Sequence, residues 1–267
     1  MIKIQCPAKI NLTLKVTGKR PDGFHNIESI MQTINLFDYL TITVENDNQT
    51  EIILSGTSDE IPYNEKNLVY KAAKLFLEKT NIENQKISIF IEKNIPVAAG
   101  LAGGSTDAAG TLYGLNEIFD KPLSRQDLHE LCAKLGSDLN VCLEGGRLKT
   151  SGRGEVIEPL PFEEFNLSLI KPTDLGISAK EAYTKFSEKI NCPPTTRGGG
   201  NQYFVNDLEW AVIDDYKELQ YIKTKYPTSI MSGSGSTYYI IDSEFQKHKG
   251  YWSKNDLKSI PYGVKTV

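Results

Sequence analysis

The chain has 267 residues, of which 39% are hydrophobic and 24% are charged, and its formal net charge is -4. This is the composition of an ordinary globular protein, and the mild acidity gives no electrostatic reason to expect nucleic acid or a membrane as partner. No apolar stretch reaches the roughly 18 residues of a membrane span, and the start of the chain does not resemble a secretion signal. The four cysteines form no CxxC pair and no zinc pattern, which favours reduced thiols. We therefore expect a cytoplasmic protein.

The first half of the chain is predicted to consist mainly of strands. Alternating apolar residues or clustered β-branched residues indicate strands over residues 2–16, 27–36, 40–44, 51–54 and 86–92. Between Asn67 and Lys79 apolar residues recur at helical spacing and predict the first helix.

The second half mixes helices and strands without a regular alternation. A Gly/Ala-rich segment opens a second helix, and Ser124 as N-cap with Asp127 three residues later begins a third. The further predicted elements are a strand at 167–170, a helix at 179–190, a loop at 192–200, one or two helices up to residue 226 and a strand at 238–241. Glycines and prolines cluster near residues 152–162. The pattern predicts an α+β architecture in two lobes, residues 1–155 and 156–267.

A segment of small residues follows a predicted strand and leads into the second helix. Small residues let the backbone approach phosphate oxygens, and the free N–H groups of a helix end point at an anion. The segment has neither the Gly-Lys-Ser/Thr of a Walker A loop nor a GxGxxG fingerprint. Close helix–strand packing explains the small residues equally well. The candidate phosphate-binding residues are Pro96, Val97, Ala98, Ala99, Gly100, Leu101, Ala102, Gly103, Gly104, Ser105 and Thr106.

A second glycine-rich turn, residues 232–236, precedes the last predicted strand. It is rich in hydrogen-bond donors and would suit closure over phosphates, although such runs are more often plain turns.

Two charged residues lie in apolar surroundings. Lys9 lies within the first strand and Asp138 within the stretch 136–143. A strand lysine usually extends to solvent, and an aspartate in such a place usually caps a helix or a turn. If the two met, the lysine would stabilise a substrate alkoxide and the aspartate could accept the hydroxyl proton during phosphoryl transfer.

Three separated segments resemble the motifs of the GHMP kinases: residues 7–12 (Pro-Ala-Lys-Ile-Asn-Leu), 96–109 and 231–236. Residues 19–33 are similar to the hallmark of the branch of this family that acts on a cytidine diphosphate derivative of methylerythritol. The further segments that resemble this branch, in the same order, are residues 67–69, 136–138 and 206–209.

The resemblance implies a fold and a reaction. The fold would be the two-lobed GHMP kinase fold, with an N-terminal lobe like domain 2 of ribosomal protein S5 and a ferredoxin-like C-terminal lobe. The enzyme would use ATP and Mg²⁺ to phosphorylate the 2-hydroxyl of the cytidylyl substrate in the non-mevalonate route to isoprenoid precursors. Neither nucleic acid nor a membrane is an expected partner.

The resemblance also implies roles for individual residues. The catalytic pair would be Lys9 and Asp138, and Asn67 and Lys93 would lie near the nucleotide together with the loop 96–106. The residues that would surround the cytidine diphosphate group are Asn11, Phe24, His25 and Tyr183. A flat cytosine can stack on aromatic faces, although Tyr183 also falls on a helical apolar pattern and could be a core residue.

Two departures from the family and two alternatives remain. The family usually has proline where this chain has Asn140, and its phosphate loop is richer in glycine than residues 98–102. Alanine preserves such a loop unless a position needs a positive φ. The alternatives are another GHMP kinase, such as mevalonate or homoserine kinase, and a non-catalytic RNA-binding protein.

Overall fold

The computed structural model describes residues 1–190 and 205–267. Its strands are β1 (Ile2–Lys19), β2 (His25–Asn46), β3 (Glu51–Gly56), β4 (Gln85–Glu92), β5 (Arg147–Ser151), β6 (Val156–Pro159), β7 (Asn166–Pro172), β8 (Ile230–Met231), β9 (Tyr238–Ile241), β10 (Tyr251–Lys258) and β11 (Lys265–Thr266). Its helices are α1 (Leu68–Thr80), α2 (Gly103–Ile118), α3 (Arg125–Leu135), α4 (Leu139–Glu144), α5 (Ala179–Ile190), α6 (Asp207–Val212) and α7 (Lys217–Lys225). In this part of the chain no helix combines the length and the apolar character needed to cross a membrane.

The larger sheet has the strand order β11-β1-β2-β4-β3, with β5 paired to β2 and β6 to β5. β1 and β2 form a long antiparallel pair, whereas β3 and β4 run parallel because α1 crosses between them. The β1–β2 register shifts between Pro7 and Ala8 and again between Asn11 and Thr13. Such bulges re-aim side chains, and these two lie on either side of Lys9.

Helices α1 to α4 cover one face of the larger sheet. Their buried apolar residues form one core cluster with the inward residues of β1, β2 and β4, among them Ile4, Phe76 and Ile89. Helix α2 comes close to β1 because it carries glycine at two inward positions. A Cβ at Gly110 would lie 2.4 Å from the Cys6 Sγ, and one at Gly114 would lie 2.7 Å from the Ile42 Cδ1.

The smaller sheet has the order β10-β7-β9-β8 and packs against α5, α6 and α7. A further core cluster contains residues of both sheets, such as Ile10 and Ile34 from the larger one and Leu167, Leu169 and Tyr239 from the smaller one. The two sheets are therefore joined by shared apolar packing.

Most of the predicted elements are confirmed, including the first helix and the Ser124 capping box of α3. The strands predicted at 27–36 and 40–44 are one continuous strand, β2, because no turn interrupts their pairing with β1. Helix α4 was not predicted, since its six residues are too few to show a period. The predicted loop at 192–200 lies outside the described residues. The division into two lobes at residue 155 stays a prediction. Strand β11, which belongs to the predicted second lobe, pairs with β1 of the first.

The close approach of α2 to β1 yields a stability prediction. We expect Gly110→Val to lower the free energy of unfolding by roughly 1–3 kcal/mol, because the added carbons would overlap the buried Cys6 side chain. The measurement is chemical denaturation. Gly18→Val is the matched control, because a Cβ at Gly18 meets nothing within 4 Å. Equal stability of the two variants would contradict the packing argument.

Candidate active site

A cleft of about 1130 Å³ is lined by parts of β1, the β1–β2 turn, the segment 96–105, α5 and the second glycine-rich turn. Every residue that the sequence predicted for the site lines this cleft except Leu101 and Thr106. Leu101 and Thr106 are buried, and the Thr106 hydroxyl lies beside the Cys142 thiol. The expectation that Thr106 could reach phosphate is therefore wrong for this conformation, since its side chain packs into the core.

The Lys9 ammonium is the centre of the cleft's polar wall. Lys9 is only 3% exposed, and its Nζ lies 2.7 Å from the Asn11 Oδ1, 3.2 Å from the Gly100 carbonyl oxygen and 3.4 Å from the Asp138 Oδ2. The ammonium donates hydrogen bonds to the Asn11 and Gly100 oxygens, and it forms an ion pair with Asp138. A buried charge needs such partners, because desolvation without them is costly.

Asp138 occupies the N-cap position of α4, yet its side chain makes no capping hydrogen bond. The capping role that its sequence position suggested is absent, and the carboxylate is directed to Lys9 instead. Its side chain is 30% exposed, so it is also reachable from the cleft. The two charged residues that lay 129 positions apart in the sequence are thus neighbours.

The two glycine-rich turns meet beside Lys9. The Ser232 hydroxyl donates to the Gly100 carbonyl oxygen at 3.0 Å, and a Cβ at Gly100 would lie 2.1 Å from the Ser232 carbonyl oxygen. A Cβ at Gly233 would lie 3.3 Å from the Lys9 Nζ. Gly100 and Gly233 also have positive φ, of 75° and 55°. Only glycine fits positions that combine this backbone conformation with so close an approach.

The first turn also requires positive φ at two alanines, Ala98 (φ 50°) and Ala102 (φ 60°). The left-handed region costs a residue with a Cβ roughly 1–2 kcal/mol. Both positions therefore need a positive φ, which alanine adopts less readily than glycine. The loop is locally strained at these two alanines, and glycine would relieve that strain.

Helix α2 begins directly after this turn, and its first residues line the cleft. Ala102 at its N-cap offers no side-chain acceptor, and the first turn has no acidic residue. Gly103, Gly104 and Ser105 line the cleft, and a Cβ at Gly104 would meet no protein atom nearer than 3.9 Å. Free N–H groups, the positive end of the helix dipole and this open space together fit a phosphate group.

Lys93 and Asn67 line the cleft, but their polar ends are engaged within the protein. The Lys93 Nζ contacts the Asp38 carboxylate and lies 2.8 Å from the Asp107 Oδ2. The Asn67 side chain caps α1 by accepting from the Val69 N–H, and it donates to the Pro62 carbonyl oxygen. Both residues therefore shape the cleft wall through these internal bonds.

The sequence did not single out Asp38 and Asp107. Burial lowers the pKa of Lys93, but the two carboxylates outweigh it and raise that pKa above its usual value. Burial, opposed by Lys93 and reinforced by Asp38, raises the pKa of Asp107. The other Asp38 oxygen accepts the N–H groups of Asn94 and Ile95, so this cluster holds the entry to the phosphate-binding segment and the first turns of α2 together. Asp38 and Asp107 lie far apart in the sequence and in no shared motif, so no sequence pattern indicated that they would meet at Lys93.

The opposite end of the cleft is aromatic. The rings of His25 and Tyr183 stack with centroids 5.1 Å apart and planes 12° apart, and the His25 Nε2 is hydrogen-bonded to the Ser187 Oγ at 2.9 Å. Burial and the neighbouring Lys19 lower the pKa of His25. No base fits between these two rings at that spacing. Phe24, by contrast, lines the cleft with 52% of its surface exposed.

Asn11 connects Lys9 to β2 and to the second glycine-rich turn. Its Oδ1 accepts from Lys9, its Nδ2 donates to the Ser29 Oγ at 2.9 Å, and its backbone N–H donates to the Ser232 Oγ at 3.3 Å. Among the cleft residues that the sequence analysis missed are Lys66, Arg153, Ser178 and Lys180. Of these residues, Arg153 had the clearest sequence signal for a site, because a charged residue lies there between Gly152 and Gly154 in a tight turn.

Comparison with known proteins shows the family of this chain. Residues 67–146 match the sequence model of the GHMP kinases N terminal domain. The 4-diphosphocytidyl-2-C-methyl-D-erythritol kinase of Clostridium tetani is 39% identical over 89% of this chain and 90% of its own. The enzyme of that name from Thermoanaerobacter pseudethanolicus is 37% identical over 100% of this chain and 96% of its own.

Solved structures show the same fold. A crystal structure of 4-(cytidine 5'-diphospho)-2C-methyl-D-erythritol kinase superposes with a TM-score of 0.72, at 28% identity over 89% of each chain. Homoserine kinase from Cytophaga hutchinsonii superposes with a TM-score of 0.67 at 16% identity, over 100% of this chain and 97% of that one, which bears on the fold alone. The predicted two-lobed α+β kinase fold is confirmed. On the identity shared with the curated relatives over most of both chains, this protein belongs to the 4-diphosphocytidyl-2-C-methyl-D-erythritol kinase family of the GHMP kinases.

Proposed function

We propose that the protein transfers the γ-phosphoryl group of ATP to the 2-hydroxyl of 4-diphosphocytidyl-2-C-methyl-D-erythritol, a step of the non-mevalonate route to isoprenoid precursors. The observation that carries this proposal is the Lys9 ammonium, which lies between the Asp138 carboxylate and the two glycine-rich turns. This arrangement brings a base, a cation and a phosphate cradle within one cleft.

The nucleotide would bind along the segment 96–105. Its phosphates would lie at the N-terminus of α2, where Gly103, Gly104 and Ser105 line the cleft. The positive φ values of Ala98, Gly100 and Ala102 bend the backbone into the concave shape that such a site needs. The adenosine would extend toward Lys66, Asn67 and Leu68, which line the cleft on the side of α1.

Proton transfer falls to Asp138. The substrate hydroxyl would approach between Asp138 and the phosphate cradle, and its oxygen would bond to the γ-phosphorus as the bond to the ADP oxygen breaks. Asp138 would accept the hydroxyl proton, and the Lys9 ammonium would stabilise the negative charge that develops on the attacking oxygen. Phosphoryl transfer depends mostly on positioning and charge stabilisation, so this small set of groups is sufficient.

Mg²⁺ would accompany the nucleotide. No group of three or more histidine, cysteine or acidic residues suited to a metal occurs within residues 1–190 and 205–267. Mg²⁺ that accompanies a nucleotide keeps several waters and binds mainly to phosphate oxygens, with one or two protein oxygens added. The Ser105 hydroxyl lines the cleft and would supply one such oxygen. The ion would neutralise part of the phosphate charge.

The cytidylyl end of the substrate would lie against Phe24. Its exposed ring offers a flat apolar face, and Tyr183 lines the same part of the cleft. His25 is stacked on Tyr183, so its contribution would come from the second ring nitrogen or the backbone. We also propose a cytoplasmic location, which suits the free buried thiols of Cys6, Cys132 and Cys142.

The reaction itself is tested by ADP release. We expect the purified protein to release ADP from ATP when 4-diphosphocytidyl-2-C-methyl-D-erythritol is supplied, and only at background level with mevalonate or homoserine. Phosphorylation of either control at a higher kcat/KM would favour another GHMP kinase. Tight RNA binding without any ADP release would favour the non-catalytic alternative.

Asp138→Asn is expected to lower kcat by roughly 10²–10⁴-fold, because the amide cannot accept the proton, while ATP binding persists. Calorimetric titration with ATP and steady-state kinetics measure the two effects. Asp120→Asn is the matched control, since Asp120 is exposed, lies outside the cleft and has a positive φ that asparagine also tolerates. A near-normal kcat for Asp138→Asn contradicts the base assignment.

Phe24→Ala is expected to raise KM for the cytidylyl substrate about 5- to 150-fold, which corresponds to a stacking contribution of roughly 1–3 kcal/mol, with little change in KM for ATP. Phe162→Ala removes an exposed phenyl ring outside the cleft and serves as the control. Equal effects of Phe24→Ala on both KM values would count against a base stacked on this ring.

A further inference from the structure

Arg153 lies in the turn between β5 and β6, and its guanidinium covers one face of the Phe24 ring. The Arg153 Cζ is 5.0 Å from the centroid of that ring, within the range of a cation–π contact. Phe24 is half exposed in a turn, where an aromatic ring without neighbours would sample several rotamers. The Arg153 guanidinium is a neighbour placed to restrict this freedom.

The nitrogens at the edge of the Arg153 guanidinium contact Ala133 and Glu155. Its Nη2 donates to the Ala133 carbonyl oxygen at 3.3 Å, and its Nε lies 3.6 Å from the Glu155 Oε1. A guanidinium has its N–H donors in the plane and an apolar face above and below. Both contacts, one hydrogen bond and one ion pair, lie at the edge of the guanidinium, and one flat face lies over Phe24.

The turn that carries Arg153 is itself fixed. The Arg153 N–H donates to the Glu155 Oε2 at 2.6 Å, and the Ile27 N–H donates to the Gly152 carbonyl oxygen at 2.8 Å. The Asn140 Nδ2 donates to the Glu155 carbonyl oxygen at 2.8 Å. Asn140 follows Asp138 by two residues, so the turn is tied to the segment that carries the proposed base. A proline at position 140 could not make this bond.

We propose that Arg153 is a positioning residue for the cytidylyl substrate: it holds the Phe24 ring so that the ring's other face receives the base. This inference rests on the proposed function. If the ring is ordered before the substrate arrives, less conformational entropy is lost on binding. A cation against the ring's back face adds to this preorganisation. Removal of Arg153 should therefore weaken cytidine binding and leave the ATP side unchanged.

The experiment uses the full-length protein and the variants Arg153→Met, Arg153→Lys and Lys149→Met. Lys149 is the control, because it is an exposed cation on β5 outside the cleft. We expect Arg153→Met to raise both KM for the cytidylyl substrate and the calorimetric Kd for CDP about five- to thirty-fold, with KM for ATP unchanged. Arg153→Lys should show an intermediate effect, since an ammonium keeps the charge but has no flat face. Lys149→Met should match the wild type.

A double-mutant cycle separates a positioning role from direct contact with the substrate. If Arg153 acts through the ring, Arg153→Met has little further effect in the Phe24→Ala background. An equal loss in both backgrounds overturns the inference, because Arg153 would then bind the substrate itself. Unchanged CDP affinity in a folded Arg153→Met protein overturns it as well. If the wild type neither binds CDP nor phosphorylates the cytidylyl substrate, the proposed function fails and the inference with it.

Discussion

The buried Lys9 ammonium is the constraint on which the cleft depends. A cation that is almost fully removed from water must be surrounded by oxygens, and Asn11, Gly100 and Asp138 supply them from three separate parts of the chain. Satisfying this one charge therefore fixes the distance between β1, the phosphate-binding segment and the start of α4. The same ammonium would also serve the chemistry. Its partners include the Asp138 carboxylate and the Gly100 carbonyl oxygen in the turn that would hold the phosphates.

Packing behind the cleft keeps these parts in place. Glycines on the inner face of α2 let the helix lie against β1, which sets the position of its N-terminus relative to Lys9. The buried cluster of Lys93, Asp38 and Asp107 holds the two ends of the phosphate-binding segment, and the core shared by both sheets brings the second glycine-rich turn to the first. The left-handed alanines between them carry strain that this surrounding structure has to overcome.

The substrate end is built differently from the phosphate end. Where the phosphates would bind, the polar groups are buried or belong to the backbone, whereas Phe24 is exposed and lies under one neighbouring guanidinium. His25 and Tyr183 form a stacked pair that closes the wall beside it. Specificity for the cytidylyl group would thus depend on a small aromatic surface whose rigidity comes from the β5–β6 turn and from Asn140.

Periodicity, capping and motifs are local properties, and from them the sequence predicted β1 to β4, β7, β9, the first helix, the capped start of α3, the α+β class and many residues of the cleft. It did not predict β5, β6, β8, β10 and β11, or cleft residues such as Lys66 and Arg153. Other features follow only from the tertiary structure. It brings Lys9 and Asp138 into contact and requires positive φ at Ala98 and Ala102. It also buries the Thr106 side chain in the core and pairs Lys93 with Asp38 and Asp107. Each of these depends on groups far apart in the chain. Burial of a charge or a hydroxyl is settled only when the sheets and helices pack, and no local pattern records it.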